Sequence, residues 1–336
     1  MYKACNIIAE VGQSHDGSLG IAHSYIEAIS KTGANGVKFQ THIAQAETTP
    51  HEPWRVKFST QDKTRYDYWK RMEFTETQWH ELKAHALEKD LLFYSSAFSI
   101  EAIELLKRVG VDGWKIASGE INNQEMFDSI AETKLPVYLS TGMSPISEID
   151  KNVEYITKKD LPLTILQCTS MYPTPVDKIG LNIIDFFRSR YSRPVGLSDH
   201  SGKIFPGLAA ISKGIEILEI HVTHSKELFG PDVSSSITLE ELKILNEGVR
   251  YIEQMEKHDV DKDEMAAQLQ NMRDLFTKSI IYKDDLQAGT ILKRKHLCFK
   301  KPGLGIHPSR VSEALGRRLV NSVKKDSLLS LKDLND

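Results

Sequence analysis

The sequence has little cysteine and no long apolar run. Cys5, Cys168 and Cys298 stand far apart in 336 residues, which disfavours a disulfide framework and fits a reducing compartment. No apolar run approaches the roughly 20 residues of a membrane-spanning helix. The first residues also lack the pattern of a signal peptide. We therefore expect a cytoplasmic protein with no membrane partner.

An excess of charge of one sign is missing as well. Lys and Arg number 43 and Asp and Glu 46, which gives a formal net charge of −3. Without a dominant basic block, the chain lacks the clustered cations that nucleic acids attract, and we expect no nucleic-acid partner. Hydrophobic residues at 40% and charged residues at 26% exclude a disordered or collagen-like chain.

What the sequence does contain is an alternation of short apolar runs and amphipathic helical stretches. Eight runs have the composition of buried parallel strands: Asn6–Gly12, Gly36–Thr41, Leu91–Ala97, Gly113–Gly119, Pro136–Gly142, Leu163–Ser170, Arg193–His200 and Ile217–Thr223. Eight such units within about 250 residues have the length and rhythm of a (β/α)8 TIM barrel. We predict this α/β fold for residues 1–257. A doubly wound open sheet is the alternative, and the count of eight disfavours it.

The pattern changes after residue 257. Residues 258–278 are polar and helical in composition, and we predict that they form a linker. The short segments in residues 279–336 are typical of a small mixed domain, which buries little core by itself. Within the predicted barrel, the connection Ala44–Phe74 is too long for a plain turn. Its length predicts a functional loop.

Polar residues end the predicted strands at the rim where (β/α)8 enzymes carry their active sites. We expect six charged or imidazole groups to converge there: Glu10, Lys38, Lys115, Glu120, His200 and His221. An unpaired charge in an apolar strand is very costly, and any one of these groups alone could belong to a structural ion pair. Six at one rim indicate a functional site.

Two kinds of chemistry follow from these residues. Lys38 and Lys115 suit an anionic phosphate or carboxylate, and nearby hydroxyls would assist them. These hydroxyls belong to Ser96, Ser118, Ser140 and Ser198. His200 and His221, on neighbouring strands, have the chemistry to share a divalent cation, with Mn²⁺ as the first candidate. Either histidine alone would be better interpreted as a hydrogen-bonded core residue, and the spacing does not separate Mn²⁺ from Mg²⁺.

Eight strings along the chain stand in a characteristic order. They are Ile8–Gly12 with His15 and Gly17, Gly36–Thr41, Lys115–Glu120, Leu139–Met143, Cys168–Pro175, Gly196–His200, Gly230–Asp232 and Lys300–Ile306. Together they resemble the sialic acid synthase family, which includes N-acetylneuraminate, legionaminate and pseudaminate synthases. The resemblance implies a transferase that condenses phosphoenolpyruvate with an N-acylated mannose-type aldose and releases phosphate by C–O cleavage. It also implies that the last string belongs to a small C-terminal antifreeze-like (SAF, β-clip type) domain.

The resemblance assigns roles by position. It implies that His200 and His221 hold Mn²⁺ and that Glu120 lies near the reacting carbons, so that Glu10 or Glu120 is the base. The groups facing the sugar or the metal-bound water would be Glu10, Gln40, Tyr172 and Asp232. The phosphoenolpyruvate site would comprise Lys38, Ser96, Lys115, Ser118, Ser140 and Ser198. The resemblance also implies a domain-swapped homodimer, in which the SAF domain of one chain closes the barrel of the other.

Two departures leave the acceptor sugar open. Ser170 stands where N-acetylneuraminate-forming members have Asn, and we keep it as a phosphoenolpyruvate contact. Lys301 replaces an Arg that contacts the acceptor from the partner chain, and we keep it as a sugar contact, although Lys and Arg are not equivalent in bidentate binding. We expect the acceptor to be N-acetylmannosamine or a 2,4-diacetamido-trideoxy hexose.

Two other functions compete with this interpretation. A Schiff-base aldolase on the same barrel would use Lys115 or Lys38 as its nucleophile, activated by burial beside another cation. A non-catalytic sugar-binding protein would bind its ligand without releasing phosphate. The second alternative is disfavoured because a binding protein has no need of two imidazoles and two lysines among hydroxyls.

Overall fold

The computed structural model describes residues 4–335. It contains two compact units, one ending at His258 and the other beginning at Asp259. The predicted domains include residues 1–3 and 336, which lie outside the described residues. Among residues 4–335, no helix combines the length and the apolar character needed to cross a bilayer.

The first unit is a closed barrel of parallel strands. They are β1 Asn6–Gly12, β2 Gly36–Thr41, β3 Leu92–Ala97, β4 Gly113–Ile116, β5 Val137–Ser140, β6 Leu163–Cys168, β7 Val195–Asp199 and β8 Ile217–Thr223. Neighbours in the chain pair in sequence order, and β1 also pairs with β8. A short strand β9, Ile237–Thr238, pairs in parallel with the end of β8. The predicted (β/α)8 barrel is confirmed, and closure rules out the open sheet. Strands β4 to β7 end earlier than predicted because the polar residues that follow them form loops.

Helices connect the strands, and most of them cover the outside of the barrel. They are α1 Leu19–Ile29, α2 Ala44–Glu47, α3 Arg65–Met72, α4 Glu76–Glu88, α5 Ile100–Val109, α6 Gln124–Ala131, α7 Ile146–Lys158, α8 Leu181–Tyr191, α9 Phe205–Ile211 and α10 Leu239–Glu256. Thr75 and Thr238 begin α4 and α10 with capping boxes, which satisfy amide groups at both helix starts. The main apolar core lies between the strands and these helices.

The barrel interior changes from apolar to charged along the strands. A small apolar cluster contains Ile8, Tyr94, Tyr138, Leu166 and Ile217. Ile8 precedes Glu10 by two positions in β1, and Ile217 precedes Glu219 by two positions in β8. Side chains two positions apart share a face of a strand. Glu10 and Glu219 therefore face the same interior as the apolar cluster and lie next to it, nearer the carboxyl ends of the strands.

The long connection after β2 is folded. It contains α2 and α3 and an aromatic cluster in which Phe58 packs edge-on against Tyr68. Arg71 ties α3 to the β1–α1 loop through an ion pair with Asp16, at 2.9 Å. Gly17, at φ 77°, lies so close to the Arg71 carbonyl that a Cβ there would stand 2.4 Å from its oxygen. The connection is thereby held against the end of β1.

The second unit is small and mixed. It contains α11 Lys262–Gln268, α12 Gln270–Phe276, β10 Ser279–Tyr282, β11 Leu297–Lys300, β12 Arg318–Leu319 and β13 Leu334–Asn335. Strands β10 and β11 pair antiparallel, as do β12 and β13, and the unit has its own apolar core. The segment that we predicted as a linker contains α11 and α12 and falls within this second unit, apart from residue 258.

Candidate active site

Four buried charged side chains meet inside the barrel. Lys38 Nζ lies 2.8 Å from Glu10 Oε2 and 3.8 Å from Glu219 Oε1. Lys115 Nζ lies 2.9 Å from the same Glu219 oxygen. None of the four is more than 5% exposed. Two ammonium groups balance two carboxylates, and this pairing allows an apolar barrel to hold four charges. We call these residues the charged cluster.

The two carboxylates of the charged cluster differ in their proton affinity. Burial acts to raise the pKa of Glu219, but the ammonium groups of Lys115 and Lys38 outweigh burial and lower that pKa to about 2. Burial also acts on Glu10, and there it prevails over the nearby Lys38, so the pKa of Glu10 is raised. Glu219 therefore remains an ionised partner of both lysines. Glu10 is the carboxylate better suited to exchange a proton.

The two predicted metal ligands lie side by side. The ring centroids of His200 and His221 are 5.2 Å apart, and Tyr172 stacks on His200 with centroids 4.3 Å apart. His200 Nδ1 lies 3.0 Å from the Thr169 carbonyl oxygen, which assigns the ring proton to Nδ1 and leaves Nε2 for a ligand. Burial lowers the pKa of His221 to about 3, so this imidazole is neutral at physiological pH.

This donor set fits a divalent cation that keeps open coordination positions. Within residues 4–335, no group of three or more His, Cys, Asp or Glu side chains is arranged to hold a metal. A pair of imidazoles leaves room for water or substrate oxygens around a cation. Burial opposes protonation of His200, but the negative charge of a Cys168 thiolate and the hydrogen bond with the Thr169 carbonyl raise its pKa to about 9. A cation that binds at Nε2 therefore displaces a proton.

The predicted hydroxyl groups follow the strand ends around the lysines. Ser198 Oγ donates to Glu219 Oε1 at 3.2 Å. Ser96 is the neighbour of Lys115 in the register of β3 and β4. Ser140 is 1% exposed, and its Oγ has no hydrogen-bond partner within the described chain. A buried hydroxyl without a partner is costly, and a ligand oxygen would satisfy it.

Gly142 brings together two further predicted contacts. The Gly142 N–H donates to Ser118 Oγ at 3.0 Å. A Cβ at Gly142 would lie 2.3 Å from Ser170 Oγ, 2.9 Å from Ser118 Oγ and 2.9 Å from Cys168 Sγ. A side chain at this position would collide with these groups unless they moved. Ser118 and Ser170 therefore both approach the face of Gly142 from which a side chain would project.

A cavity of about 310 Å³ opens beside the histidines. The predicted sugar-side residues Gln40, Tyr172 and Asp232 line it, together with the base candidate Glu120 and the predicted metal ligand His221. The rest of the wall comes mostly from the connection after β2, through residues that include Trp54, Arg55, Phe58, Arg65, Tyr68 and Trp69. Glu120 is half-buried in this wall, outside the charged cluster, and burial raises its pKa.

Residues 25–261 match the NeuB family, and residues 277–335 match the SAF domain. The chain belongs to the NeuB family. It is 32% identical to the N,N'-diacetyllegionaminic acid synthase of Campylobacter jejuni over 97% of this chain and 99% of that one. It is 31% identical to a pseudaminic acid synthase of the same species, over 98% and 97% of the two chains.

Among solved structures, the chain resembles the N-acetylneuraminic acid synthetase of Leptospira borgpetersenii. The TM-score is 0.71 at 30% identity, with 81% of this chain and 92% of that one covered. The predicted family and the predicted SAF domain are thus confirmed. Because the named relatives are synthases, membership of the NeuB family supports an enzymatic role.

Two members of this NeuB-family site were missed from the sequence. Glu219 lies in the predicted strand Ile217–Thr223 but is absent from the groups predicted to converge. It stands two positions before His221 and so shares its face, a signal that would have included it. Arg55 was one of several basic residues in the long connection. Its Nη2 donates to Asp232 Oδ1 at 2.8 Å, and its guanidinium lies 4.4 Å from the ring centroid of Tyr172.

Lys301 lies in the second unit of this NeuB-family chain. Its side chain is exposed, and its Nζ lies 4.9 Å from the centroid of the Phe276 ring. The predicted contact of Lys301 with the acceptor sugar stays a prediction.

Proposed function

We propose that the protein is a nonulosonic acid synthase that condenses phosphoenolpyruvate with an N-acylated mannose-type aldose. One observation carries the proposal. Strand β8 presents Glu219 to Lys38 and Lys115, and two positions later it presents His221 to His200. These contacts support a proposed anion site next to a proposed cation site. The relatives named as legionaminic and pseudaminic acid synthases support the same activity.

Phosphoenolpyruvate would bind between the lysines and the hydroxyl groups. The ammonium groups of Lys38 and Lys115 would balance charge that develops on the departing phosphate, and such preorganised charge is a large part of many rate enhancements. Ser140 Oγ, buried and lacking a partner within the described residues, would donate to a ligand oxygen. Ser118 and Ser170 both lie against Gly142 and would hold the substrate from the neighbouring strands, together with Ser96 and Ser198.

The proposed cation is Mn²⁺ or Mg²⁺, held by His200 and His221. When bound, it supplies Lewis-acid polarisation of the acceptor aldehyde. The Thr169 carbonyl, 3.0 Å from His200 Nδ1, orients His200 so that Nε2 is the binding atom. Tyr172 fixes the plane of the same ring by stacking on it at 4.3 Å.

The proposed reaction joins two carbons and then releases phosphate. The C3 atom of phosphoenolpyruvate attacks the aldehyde carbon, and water adds to the resulting electron-poor C2. The C2–O bond to phosphate then breaks. Glu10, which accepts from Gln40 Nε2 at 2.7 Å and whose pKa is raised by burial, is our preferred base for the attacking water. Glu120, in the cavity wall, is the second candidate.

For the acceptor, we propose a 2,4-diacetamido-trideoxy hexose in preference to N-acetylmannosamine. Trp54, Phe58 and Tyr68 give one side of the cavity an aromatic surface. Acetyl methyl groups and a deoxygenated terminal carbon gain from apolar contact, whereas a hydroxyl group would lose its hydration there. Arg55 and Asp232 would bind the remaining polar groups. The predicted domain-swapped homodimer and the cytoplasmic location stay predictions.

The Schiff-base alternative is disfavoured by the pairing of the lysines. Burial acts to lower the pKa of Lys38, but Glu10 and Glu219 outweigh burial and raise it. A lysine nucleophile must be neutral, which requires a lowered pKa. Lys115 is ion-paired with Glu219 at 2.9 Å. Borohydride trapping with pyruvate should therefore leave both lysines unmodified.

The decisive experiment is a phosphate-release assay with phosphoenolpyruvate, Mn²⁺ and a panel of acylated mannose-type sugars. We expect release that depends on both the sugar and the cation, and that a chelator abolishes. A 2,4-diacetamido-trideoxy hexose should give the highest kcat/KM. If no sugar of the panel supports release, the proposed function is wrong. Binding of a sugar without release would favour the non-catalytic alternative.

The His221→Ala variant tests the cation site directly. Because only two imidazoles form the proposed donor set, loss of one should remove bound Mn²⁺ and turnover together. Metal content after dialysis and phosphate release are the two measurements, and a variant at exposed His80 serves as the control. Stoichiometric Mn²⁺ in the His221→Ala protein would show that the ligand assignment is wrong.

A further inference from the structure

A chain of hydrogen bonds leads from the acceptor cavity to Glu10, and the proposed reaction does not use its outer part. It begins at Glu47 in α2 and passes through His42, Gln13 and Gln40 to Glu10 in β1. His42 Nδ1 lies 2.7 Å from Glu47 Oε1, and His42 Nε2 lies 2.8 Å from Gln13 Nε2. Gln13 Nε2 donates to Gln40 Oε1, and Gln40 Nε2 donates to Glu10 Oε1 at 2.7 Å.

His42 is fixed in place from several sides. Its imidazole is sandwiched between Trp69, with ring centroids 4.0 Å apart, and Phe98, with centroids 4.6 Å apart. The residue is only 5% exposed. Glu47 is held as well, because its second carboxylate oxygen accepts from the Ile43 N–H at 3.3 Å. The ring therefore cannot turn without disrupting the packing around it.

The chemistry of each group gives the chain a direction. A carboxylate only accepts hydrogen bonds and an amide NH2 group only donates them. His42, placed between the Glu47 carboxylate and the Gln13 amide nitrogen, must therefore carry its proton on Nδ1 and accept at Nε2. The same rule holds for the two glutamine links that follow. Every donor faces an acceptor from Glu47 to Glu10.

We propose that His42, anchored by Glu47, is a positioning residue that sets the orientation of the Gln40 amide and thereby of the Glu10 carboxylate. The C=O and NH2 ends of a glutamine side-chain amide are almost equal in shape. The hydrogen-bond partners alone therefore decide which end of the Gln40 amide points toward Glu10. Without an acceptor at His42, Gln13 is free to reverse, and Gln40 can reverse with it. The Gln40 carbonyl would then face the Glu10 carboxylate, and the two acceptors repel.

This assignment rests on the proposed function, in which Glu10 and Gln40 act on the substrates. It also explains why the connection after β2 matters beyond lining the cavity. Glu47 and Trp69 both belong to that connection, and both hold His42. The connection after β2 would thus contact the acceptor sugar and also hold His42, near the outer end of the hydrogen-bond chain that leads to Glu10.

The first test compares His42→Phe with His42→Gln. Phenylalanine keeps the aromatic sandwich but has no hydrogen-bonding nitrogen, whereas glutamine offers one donor and one acceptor. We expect His42→Phe to lower kcat by up to roughly 100-fold, as a misplaced catalytic group does, with the KM for phosphoenolpyruvate unchanged. His42→Gln should recover much of that loss. His80→Gln, at an exposed position, should behave as wild type.

Two kinetic results would overturn the proposal. A wild-type kcat in the His42→Phe variant would show that the hydrogen-bond chain does not position Glu10. Equal losses in His42→Phe and His42→Gln, with both proteins folded, would reduce His42 to a packing role.

A second measurement needs no substrate. In protein labelled with ¹⁵N-histidine, the His42 resonances, assigned by their disappearance in His42→Gln, should report a proton on Nδ1. A proton on Nε2, or on both nitrogens, would contradict the direction of the chain. If the wild-type enzyme releases no phosphate with any sugar, the proposed function fails. The tautomer then still decides whether the chain itself exists as described.

Discussion

The charged cluster and the cavity beside it are built in different ways. The four members of the cluster come from β1, β2, β4 and β8, and none is more than 5% exposed. The cavity wall comes largely from the single connection after β2, where the side chain of Arg55 remains 38% exposed. The register of the barrel therefore fixes the groups proposed for the reaction. The connection after β2 instead supplies much of the cavity wall that would contact the acceptor sugar.

The strongest way to break the cluster is Glu219→Ala. It leaves Lys38 and Lys115 with one carboxylate between them, and breaking a buried ion pair costs about 3–5 kcal/mol. We expect that loss in the free energy of unfolding, measured by urea denaturation. Glu154→Ala breaks an exposed pair with Lys158 at 2.7 Å and should cost less than about 1 kcal/mol. Equal losses in the two variants would contradict the comparison.

Arg55→Ala tests the cavity with the cluster left intact. In the proposed site Arg55 would bind a polar group of the acceptor, and a hydrogen bond to a charged group contributes about 1.5–3 kcal/mol, equivalent to roughly 10- to 100-fold in affinity. The KM for the acceptor sugar should rise by that factor, and the KM for phosphoenolpyruvate should not change. Arg55→Lys should recover little, because lysine lacks the planar fork. A parallel rise in both KM values would argue against this division of roles.

Trp54→Ala tests the apolar part of the wall. A single methyl group in an apolar pocket changes kcat/KM by about tenfold or more. We expect the preference for a 2,4-diacetamido-trideoxy hexose over N-acetylmannosamine to fall by roughly tenfold. Competition between the two sugars in one reaction measures the ratio directly. An unchanged ratio would mean that Trp54 does not meet the substituents that distinguish them.

Ser140→Ala and Ser95→Ala sharpen the comparison within the barrel itself. Ser95 Oγ bonds to Thr41 Oγ1 at 2.8 Å, whereas Ser140 Oγ has no partner among residues 4–335. Ser95→Ala should therefore lower the free energy of unfolding by about 1 kcal/mol. Ser140→Ala should leave stability equal or higher, and weaken phosphoenolpyruvate binding measured by calorimetry. The reverse pattern would exclude Ser140 from the substrate site.

Much of the barrel could be predicted because its signal is local. Apolar runs such as Ile217–Thr223 and cap residues such as Thr75 are visible in short stretches of sequence, and side chains two apart in a strand, such as Lys38 and Gln40, share a face. Ion pairs between side chains on different strands of the barrel leave no such local pattern in the sequence. Glu219 contacts Lys115 over a separation of 104 residues, and only the closed register brings the two together.

The connection after β2 shows the other limit of prediction. Its length indicated a function, but Arg55 was only one of several basic residues in a segment without periodicity. Its role depends on Asp232, which lies 177 residues away. His42 was overlooked because it follows the end of a strand and carries no motif. Its importance lies in partners that come from three separate places along the chain.

The folded connection from Ala44 to Met72 leaves and rejoins the barrel within one β–α unit, and its aromatic cluster packs largely on itself. Such a segment can be exchanged as a unit in a chimera with another NeuB-family member. Transplanting it from a relative that uses another sugar should transfer part of that sugar preference to this chain. The strands, with their paired lysines and histidines, would not need to change. Diversification of the products could thus proceed by replacing one insert at a time.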